Sequence, residues 1–430
     1  MKNDFKISKY IVCVDDLDEK NILFNCATGS LMLLDKDKYS LLENNLIDKI
    51  DSSLIELLKK SKIIIPSECN EEVEYLKHIE KSTKNDEIYL TISPTFLCNF
   101  DCSYCFVNKS NSMINTTTLN SIINCIKSNN FNRDKMINII WFGGETLLAL
   151  DHIIEFTQKL ERSISSNNIR ASIVTNGYLL NQDVLVKLIR SHIKIIQITF
   201  DGNEYLHNKY RKTKCGKETY KQIMENIINL LSTNYDFVLN LRCNYFSDGA
   251  DSDMIAEFVK DIAPIIQDDK RVNIQLKPII DFSCSSNTKS FFDSYDNVEL
   301  IKQAITKELP NQVIYNTVGL PKPKIKWCSS GEENMFNIGP SGELYFCKSQ
   351  FGYKDKAIGY INEDGSISYN KNYDINVRNN YLLEKCLECK YLPLCMGGCK
   401  RLRVDKNKAI CYWNEESIKN LIRRNLATWN

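Results

Sequence analysis

Leu97-Cys98-Asn99-Phe100-Asp101-Cys102-Ser103-Tyr104-Cys105-Phe106 is the stretch from which the rest of the chain can be read. Three cysteines in a C-x3-C-x2-C run can hold three corners of a cubane iron–sulfur cluster and leave the fourth iron without a protein ligand. An open iron is a place for chemistry. A structural zinc site and three core thiols are the competing readings, because cysteine also serves as a small buried hydrophobe.

The run follows an apolar stretch that reads as a strand, Ile88–Ser93, and from Glu87 onward strands alternate with helices. Further strands are expected at Met136–Phe142, Ala171–Thr175, Ile195–Phe200, Phe237–Arg242 and Val272–Pro278. Amphipathic helices are expected near 115–129, 148–166, 182–191, 217–233, 252–266 and 298–308. Strand–helix repetition at this spacing implies a parallel sheet with right-handed crossovers, and six units fall short of a closed eight-stranded barrel. The expected fold class is therefore α/β, a partial (β/α)6 barrel of the TIM type, with its ligands at the carboxyl ends of the strands.

Polar motifs gather at those ends. Trp141-Phe142-Gly143-Gly144-Glu145 closes the second strand, where two glycines permit a close approach and Glu145 supplies a carboxylate. Thr175-Asn176-Gly177 closes the third, and Thr199-Phe200-Asp201-Gly202 the fourth. Their hydroxyl, amide and carboxylate groups suit a ribose and an amino acid, although each residue type is also a common cap or turn former.

Seventeen cysteines stand among 430 residues, and ten of them fall into spaced sets at 98–105, 328–347 and 386–411. The start MKNDFKISKY lacks a signal-peptide core and no apolar run approaches a membrane span, so a cytoplasmic location without structural disulfides is expected. Ligation then explains the spaced cysteines. Cys13, Cys26, Cys69, Cys125, Cys215, Cys243 and Cys284 are isolated and read as packing residues. With 55 Lys plus Arg against 54 Asp plus Glu, no global field favours nucleic acid or a membrane surface.

The first 80 residues differ in character. Tyr10–Val14 and Asn21–Asn25 read as a hairpin, followed by helical stretches near 37–47, 51–62 and 70–82. Such a hairpin with three helices resembles a winged helix. DNA binding is nevertheless disfavoured, because residues 1–80 hold 11 Lys and no Arg against 16 Asp plus Glu. From about Trp327 the alternation stops and cysteines, glycines and turns take over, a stretch that metal clusters would hold together.

The triplet, with its flanking aromatics and a Gly-Gly-Glu at the second strand end, resembles the signature of the radical S-adenosylmethionine (SAM) enzymes. That resemblance implies a SAM-chelating 4Fe-4S cluster on Cys98, Cys102 and Cys105, with SAM bound by Tyr104, Gly143, Gly144, Glu145, Asn176, Thr199 and Asp201. His207-Asn208-Lys209-Tyr210-Arg211 resembles the family's H-D-x-x-R stretch with Asn208 in place of Asp, and implies Arg211 as a clamp on the SAM carboxylate. The later cysteines, Cys328, Gly342-x4-Cys347, Cys386-x2-Cys389-x5-Cys395-x3-Cys399 and Cys411, resemble the SPASM domain. Four of them would fit a zinc ribbon, but three would be left over. By the family's connectivity Cys386, Cys389, Cys395 and Cys411 would hold an outer auxiliary 4Fe-4S cluster, and Cys328, Cys347 and Cys399 an inner one, for three clusters in all. The inner cluster would keep an iron open for a substrate thiolate, with Cys284 as the rival fourth ligand.

Radical SAM enzymes with SPASM domains resemble one another in modifying peptides and proteins. The resemblance divides the chain into a winged-helix-like leader-peptide recognition element at 1–82, a radical SAM partial barrel at 85–312 and a SPASM domain at 320–425. A precursor's leader would add as a strand to the hairpin edge around Ile22–Asn25, and the core peptide would receive a cross-link, expected as a Cys thioether. A flavodoxin or ferredoxin is the expected reductant. Carbon–carbon cross-linking, epimerisation and formylglycine formation on sulfatases are the alternatives, the last opposed by Lys348, where sulfatase maturases carry an Asp after the G-x4-C cysteine. A non-catalytic iron–sulfur carrier would need neither Gly-Gly-Glu nor the ribose-binding ends.

Overall fold

The computed structural model describes residues 4–15, 20–82, 87–128, 135–164, 168–245, 252–267, 269–279, 306–309, 313–315, 320–378, 382–409, 411 and 413–427. Cys284, and the helix expected near 298–308 save its last residues, lie outside them. The chain packs as two compact units interleaved along the sequence. One comprises Met1–Asn85, Val318–Ser329 and Tyr381–Asn430, the other Asp86–Thr317 and Ser330–Asn380. The stretch 320–425, expected as one domain, is thus shared between them.

In the first unit β1 (Phe5–Ile7) pairs with β5 (Ile64–Pro66), while β2 (Ile11–Asp15), β3 (Lys20–Asn25) and β4 (Leu31–Asp35) form an antiparallel sheet. Helices α1 (Lys36–Glu43), α2 (Ser52–Lys60) and α3 (Glu71–Ser82) follow. Asp51 caps α2 by accepting the Leu54 amide at 2.9 Å. The strand order β2-β3-β4 corrects one expectation: Ile22–Asn25 lies in the central strand and has no free edge. β3 is buried on both faces, Ile22 and Phe24 in one core and Leu23 in another, while β4 pairs with its second edge. The core holding Ile22 and Phe24 also holds Cys386, Leu392, Leu394, Met396, Ile418 and Ile422, so the N-terminal sheet and the cysteine-rich C-terminal segment stabilise each other through shared apolar burial.

In the second unit β6 (Ile88–Ile92), β7 (Ile137–Trp141), β8 (Ile169–Thr175), β9 (Ile193–Phe200), β10 (Val238–Tyr245) and β11 (Val272–Pro278) lie side by side, all parallel. Crossover helices α4 (Thr116–Ser128), α5 (Leu150–Glu161), α6 (Gln182–Arg190), α7 (Glu204–Tyr210), α8 (Tyr220–Leu231) and α9 (Ser252–Ile266) connect them. The strand interiors read Ile-Tyr-Leu-Thr-Ile and Ile-Asn-Ile-Ile-Trp, the β-branched and aromatic composition that a doubly covered strand requires. The six expected strands are all present.

The sheet extends further than the periodicity suggested. β12 (Val313–Tyr315) joins the β11 edge, and β13 (Met335–Ile338) pairs parallel to β6 on the other side. An antiparallel run of β14 (Glu343–Tyr345), β15 (Ala357–Ile361) and β16 (Ile367–Tyr369) completes an open sheet of 11 strands. These short strands with intervening turns carry too few residues for a period to show. Among the described residues no helix is long and apolar enough to cross a membrane.

Candidate functional site

The loop after β6 bears the cysteine triplet, and the Gly-Gly-Glu turn after β7 clasps it. Gly144 donates its amide to the Thr95 carbonyl at 2.9 Å, and Glu145 donates to the Leu97 carbonyl at 2.8 Å. A Cβ at Gly144 would stand 2.1 Å from the Leu97 carbonyl oxygen, and one at Gly143 would stand 2.2 Å from Ser93 Oγ. The glycines therefore admit the backbone that leads into Cys98, a closer reason for them than the approach of a ligand.

A cavity of about 310 Å³ opens at the carboxyl ends of the strands. Its wall brings together Cys98, Cys102 and Cys105 with Tyr104, Gly143, Gly144, Glu145, Asn176, Thr199 and Arg211, residues drawn from four successive strand ends. Among the described residues no three His, Cys, Asp or Glu side chains close on a single metal ion. What the three thiols share is this cavity wall, within a loop whose course is fixed by hydrogen bonds on both sides. Burial pushes the Cys98 thiol up to about 12, with the Glu145 carboxylate adding to the effect. Burial raises Cys102 as well, against the pull of Arg211. Such thiols need a strong Lewis acid to ionise, and a cationic iron cluster supplies one. The donor set fits a three-cysteine cluster.

Glu145 is 1 % exposed and its carboxylate is already well served. Thr175 Oγ1 donates to it at 2.6 Å, and the amides of Leu147 and Asn176 do so at 3.0 and 2.8 Å. Burial still holds its pKa above the ordinary carboxylate range. These bonds lock the second strand end to the third. Asn176 Nδ2 then reaches Asn99 Oδ1 at 2.8 Å, tying the third strand end to the cysteine loop.

Tyr104, between the second and third cysteines, anchors a second network. Its hydroxyl donates to Asp201 Oδ2 and accepts from Arg211 Nη1 at 2.9 Å. Asp201 does not line the cavity; it lies behind Tyr104 and accepts from Asn244 Nδ2 at 3.1 Å. Arg242 Nε in turn donates to Asn244 Oδ1 at 2.8 Å. Burial raises the Asp201 carboxyl, whereas for Arg211 the burial that would depress it is outweighed by Tyr104, Cys102 and Asp201. Arg211 Nε is buried with no partner among the described residues, an unspent donor beside the cavity. Asn208, which stands where the motif has Asp, accepts the Thr219 and Tyr220 amides at 3.0 and 3.1 Å and so seats α8.

Arg242, Asn244, Gln197 and Ser349 line the cavity without having been read as site residues from the sequence. Arg242 was taken as the last residue of its strand, which runs on to Tyr245. Position at a strand end was the available signal for it and for Asn244. Cys347 was read as a ligand of a separate cluster, yet it opens on the same cavity as Cys98, and Lys348 Nζ lies 5.0 Å from the Phe142 ring centre.

Of the remaining cysteines, Cys328, Cys386, Cys389, Cys395, Cys399 and Cys411 lie in the first unit and Cys347 in the second. Cys395 is raised to about 11 by burial, with Cys389, Cys386 and Cys411 adding to it. Those four thiols are electrostatic neighbours. Arg403, 5 % exposed, donates to the Gly397 carbonyl at 3.2 Å, and Cys386, Cys399, Cys328 and Cys395 act on it, though burial dominates and depresses it.

Comparison with known proteins agrees with this geometry. Residues 92–245 match the Radical SAM superfamily. The chain is 24% identical over 335 residues to a cysteine-type anaerobic sulfatase-maturating enzyme of Clostridium perfringens, covering 72% of this chain and 87% of that protein. It is 24% identical over 475 residues to the radical SAM cyclopropyl synthase TigE of Paramaledivibacter caminithermalis, covering 97% and 95%. Among solved structures, native anSMEcpe with bound AdoMet superposes with a TM-score of 0.61 at 20% identity, over 79% of this chain and 98% of that one. Streptococcus suis SuiB bound to its precursor peptide SuiA superposes with a TM-score of 0.55 at 15% identity, over 94% and 97%. The chain carries a radical SAM domain and is an enzyme.

Proposed function

We propose that this radical SAM enzyme modifies a ribosomally made precursor peptide, installing a cross-link, a thioether from a Cys sulfur to a neighbouring carbon. The observation that carries this reading is coverage. TigE and SuiB are matched over 97% and 94% of this chain, whereas the Clostridium perfringens sulfatase maturase is matched over 72%. Likeness over the full length of the chain thus speaks for a peptide maturase.

Cys98, Cys102 and Cys105 would hold the 4Fe-4S cluster, which when bound supplies the one electron that cleaves SAM into methionine and the hydrogen-abstracting 5′-deoxyadenosyl group. The chain's own residues do the rest. Glu145 keeps its remaining acceptor capacity for the SAM amino group, Arg211 Nε offers a donor to the carboxylate, and Thr199 and Asn176 offer hydroxyl and amide groups to the ribose. Tyr104 and Asp201 hold Arg211 in place. Phe106 and Phe142, stacked with centres 6.0 Å apart, make the cavity wall apolar and exclude water from a reactive carbon. Cys347 and Lys348 on the same wall would face the substrate.

Cys386, Cys389, Cys395 and Cys411, all in the first unit, would hold an outer auxiliary cluster of a SPASM domain, and the sequence pattern assigns Cys328, Cys347 and Cys399 to an inner one. The N-terminal sheet would receive the leader by strand addition, with the outer strands β2 and β4 in place of Ile22–Asn25. Two other readings each have an observation behind them. Likeness to TigE over the whole chain favours a carbon–carbon ring closure, and the sulfatase-maturase relatives favour formylglycine formation.

One experiment separates them. Reconstituted protein is incubated with SAM, dithionite and either a Cys-bearing precursor peptide encoded beside the gene or a sulfatase-derived Cys peptide, and products are mapped by mass spectrometry. Loss of two hydrogens with disappearance of the free thiol from the precursor supports the thioether; loss of two hydrogens with the thiol retained supports a carbon–carbon bond. Conversion of the sulfatase Cys to an aldehyde would overturn the proposal.

A further inference from the structure

We infer that the turn at Lys212–Lys217 is the docking surface for an acidic, low-potential one-electron carrier that reduces the cluster on Cys98, Cys102 and Cys105. The inference rests on the radical SAM reading above, which requires an electron to reach that loop from outside.

The cavity side of the cysteine loop is the side for SAM and substrate, so a reductant must approach from the other. On that side the cysteine loop is hydrogen-bonded to the segment that follows α7. Phe100 and Thr213 form an isolated antiparallel bridge. Asp101 donates its amide to the Lys212 carbonyl at 2.8 Å, Lys214 donates to the Asn99 carbonyl at 3.0 Å, and Ser103 donates to the Tyr210 carbonyl at 3.3 Å. Backbone hydrogen bonds therefore connect the outer segment to the residues between Cys98 and Cys105, a short, rigid route for an electron.

The outer segment is basic and exposed. Lys212-Thr213-Lys214-Cys215-Gly216-Lys217 closes a tight turn through the Lys217 amide to Thr213 Oγ1 at 2.9 Å and the Thr213 amide to the Lys217 carbonyl at 3.0 Å. Lys212, Lys214 and Lys217 are all exposed on it. Lys109 lies on the same loop face, donating to the Phe100 carbonyl at 3.0 Å and Asp101 Oδ1 at 2.9 Å. The nearby carboxylates are Asp101, paired with Lys109, and Glu218. Lys212 also shares a neighbouring groove with Glu204, Glu218, Glu257 and Asp261; Lys214 and Lys217 stand outside it. In a chain whose net charge is +1, a basic turn laid against the cysteine loop is a local field, and it selects an acidic partner and speeds its encounter. The transfer is one electron from the reduced carrier, which is oxidised, to the cluster, which is reduced, with no proton moved.

The test compares two reductants on one protein. Wild type and K214E/K217E are reconstituted and 5′-deoxyadenosine formation is followed with dithionite and, separately, with a reduced flavodoxin. The expected result is flavodoxin binding, measured by calorimetric titration, and a flavodoxin-driven rate both about 10-fold weaker for the variant, with the dithionite rate unchanged, and a fall with rising salt in the wild-type flavodoxin rate that the variant lacks. Should the double reversal also slow the dithionite reaction, K214Q/K217Q takes its place and is scored the same way. A flavodoxin rate equal to wild type, with the dithionite reaction intact, overturns the docking surface. Absence of 5′-deoxyadenosine from wild type with dithionite would instead overturn the enzyme reading beneath it.

Discussion

A methyl group at Gly144 should disable the cysteine loop while sparing the fold. The added Cβ of Gly144→Ala would stand 2.1 Å from the Leu97 carbonyl oxygen, 2.7 Å from its carbon and 2.9 Å from the Phe96 carbonyl carbon. Ordinary contact begins near 3.4 Å, so the backbone must retreat by the difference, about 1.3 Å. All three opposing atoms are main chain, and no rotamer change relieves them. The retreat breaks the Glu145 amide bond to that same oxygen, 2.8 Å long, at a cost of about 1 kcal/mol, and the crowding adds about 1 to 3 kcal/mol. A loss of about 2 to 4 kcal/mol lies within the stability of an ordinary domain, so the variant should fold. Leu97 precedes Cys98, and a displacement of about 1 Å at a reacting centre costs on the order of 100-fold in rate. Reconstituted G144A should therefore show native circular dichroism and 5′-deoxyadenosine formation reduced about 100-fold, measured by chromatography with iron content in parallel. A variant with full iron and the wild-type rate would refute the clasp.

Three further outcomes follow from the same geometry. Tyr104→Phe removes the hydroxyl shared by Arg211 and Asp201, leaving buried charge short of a partner at about 1 to 3 kcal/mol, and SAM affinity should fall by about 10-fold in equilibrium dialysis; an unchanged dissociation constant would detach this network from the SAM site. His207 is fully buried, neither ring nitrogen has a partner among the described residues, and burial next to Arg211 holds its pKa well below the usual value. The unfolded chain takes up that proton near pH 6.5 and the folded chain does not, so stability is full above about 6.5 and falls by at most about 1.4 kcal/mol per pH unit below it. His207→Phe should flatten that slope in urea unfolding at pH 7 and 5.5, and parallel slopes in the two proteins would clear the imidazole of the effect. Leu33, 52% exposed on the outer strand β4, is a position where Leu33→Asp should weaken precursor binding about 10-fold by fluorescence anisotropy without changing dithionite-driven SAM cleavage; equal affinity would move the leader elsewhere.

The sequence by itself determined the parallel strands β6 to β11, because each buried strand must be a continuous β-branched and aromatic run and each covering helix must be amphipathic. It also determined which loops bear chemistry, since cysteine triplets, paired glycines and polar strand ends have few structural uses at that spacing. Cys98, Cys102, Cys105, Glu145, Asn176, Thr199 and Arg211 were legible on that ground, and all line one cavity.

Only the tertiary structure decided the rest. That β3 is central and Ile22–Asn25 has no free edge follows from β4, a strand whose pairing leaves no period in so short a run. Arg242 and Asn244 enter the site because β10 runs three residues further at its carboxyl end than the expected strand, and Asp201 leaves the wall because Tyr104 stands in front of it. The glycines of Gly143-Gly144 serve the approach of one backbone to another, and the basic turn at Lys212–Lys217 lies against the cysteine loop more than a hundred residues before it. Local sequence fixes what a segment can form, through propensity and the burial its pattern permits. Which distant segment covers it is set by packing and hydrogen bonds between residues far apart in the chain, and those leave no periodic mark in either partner.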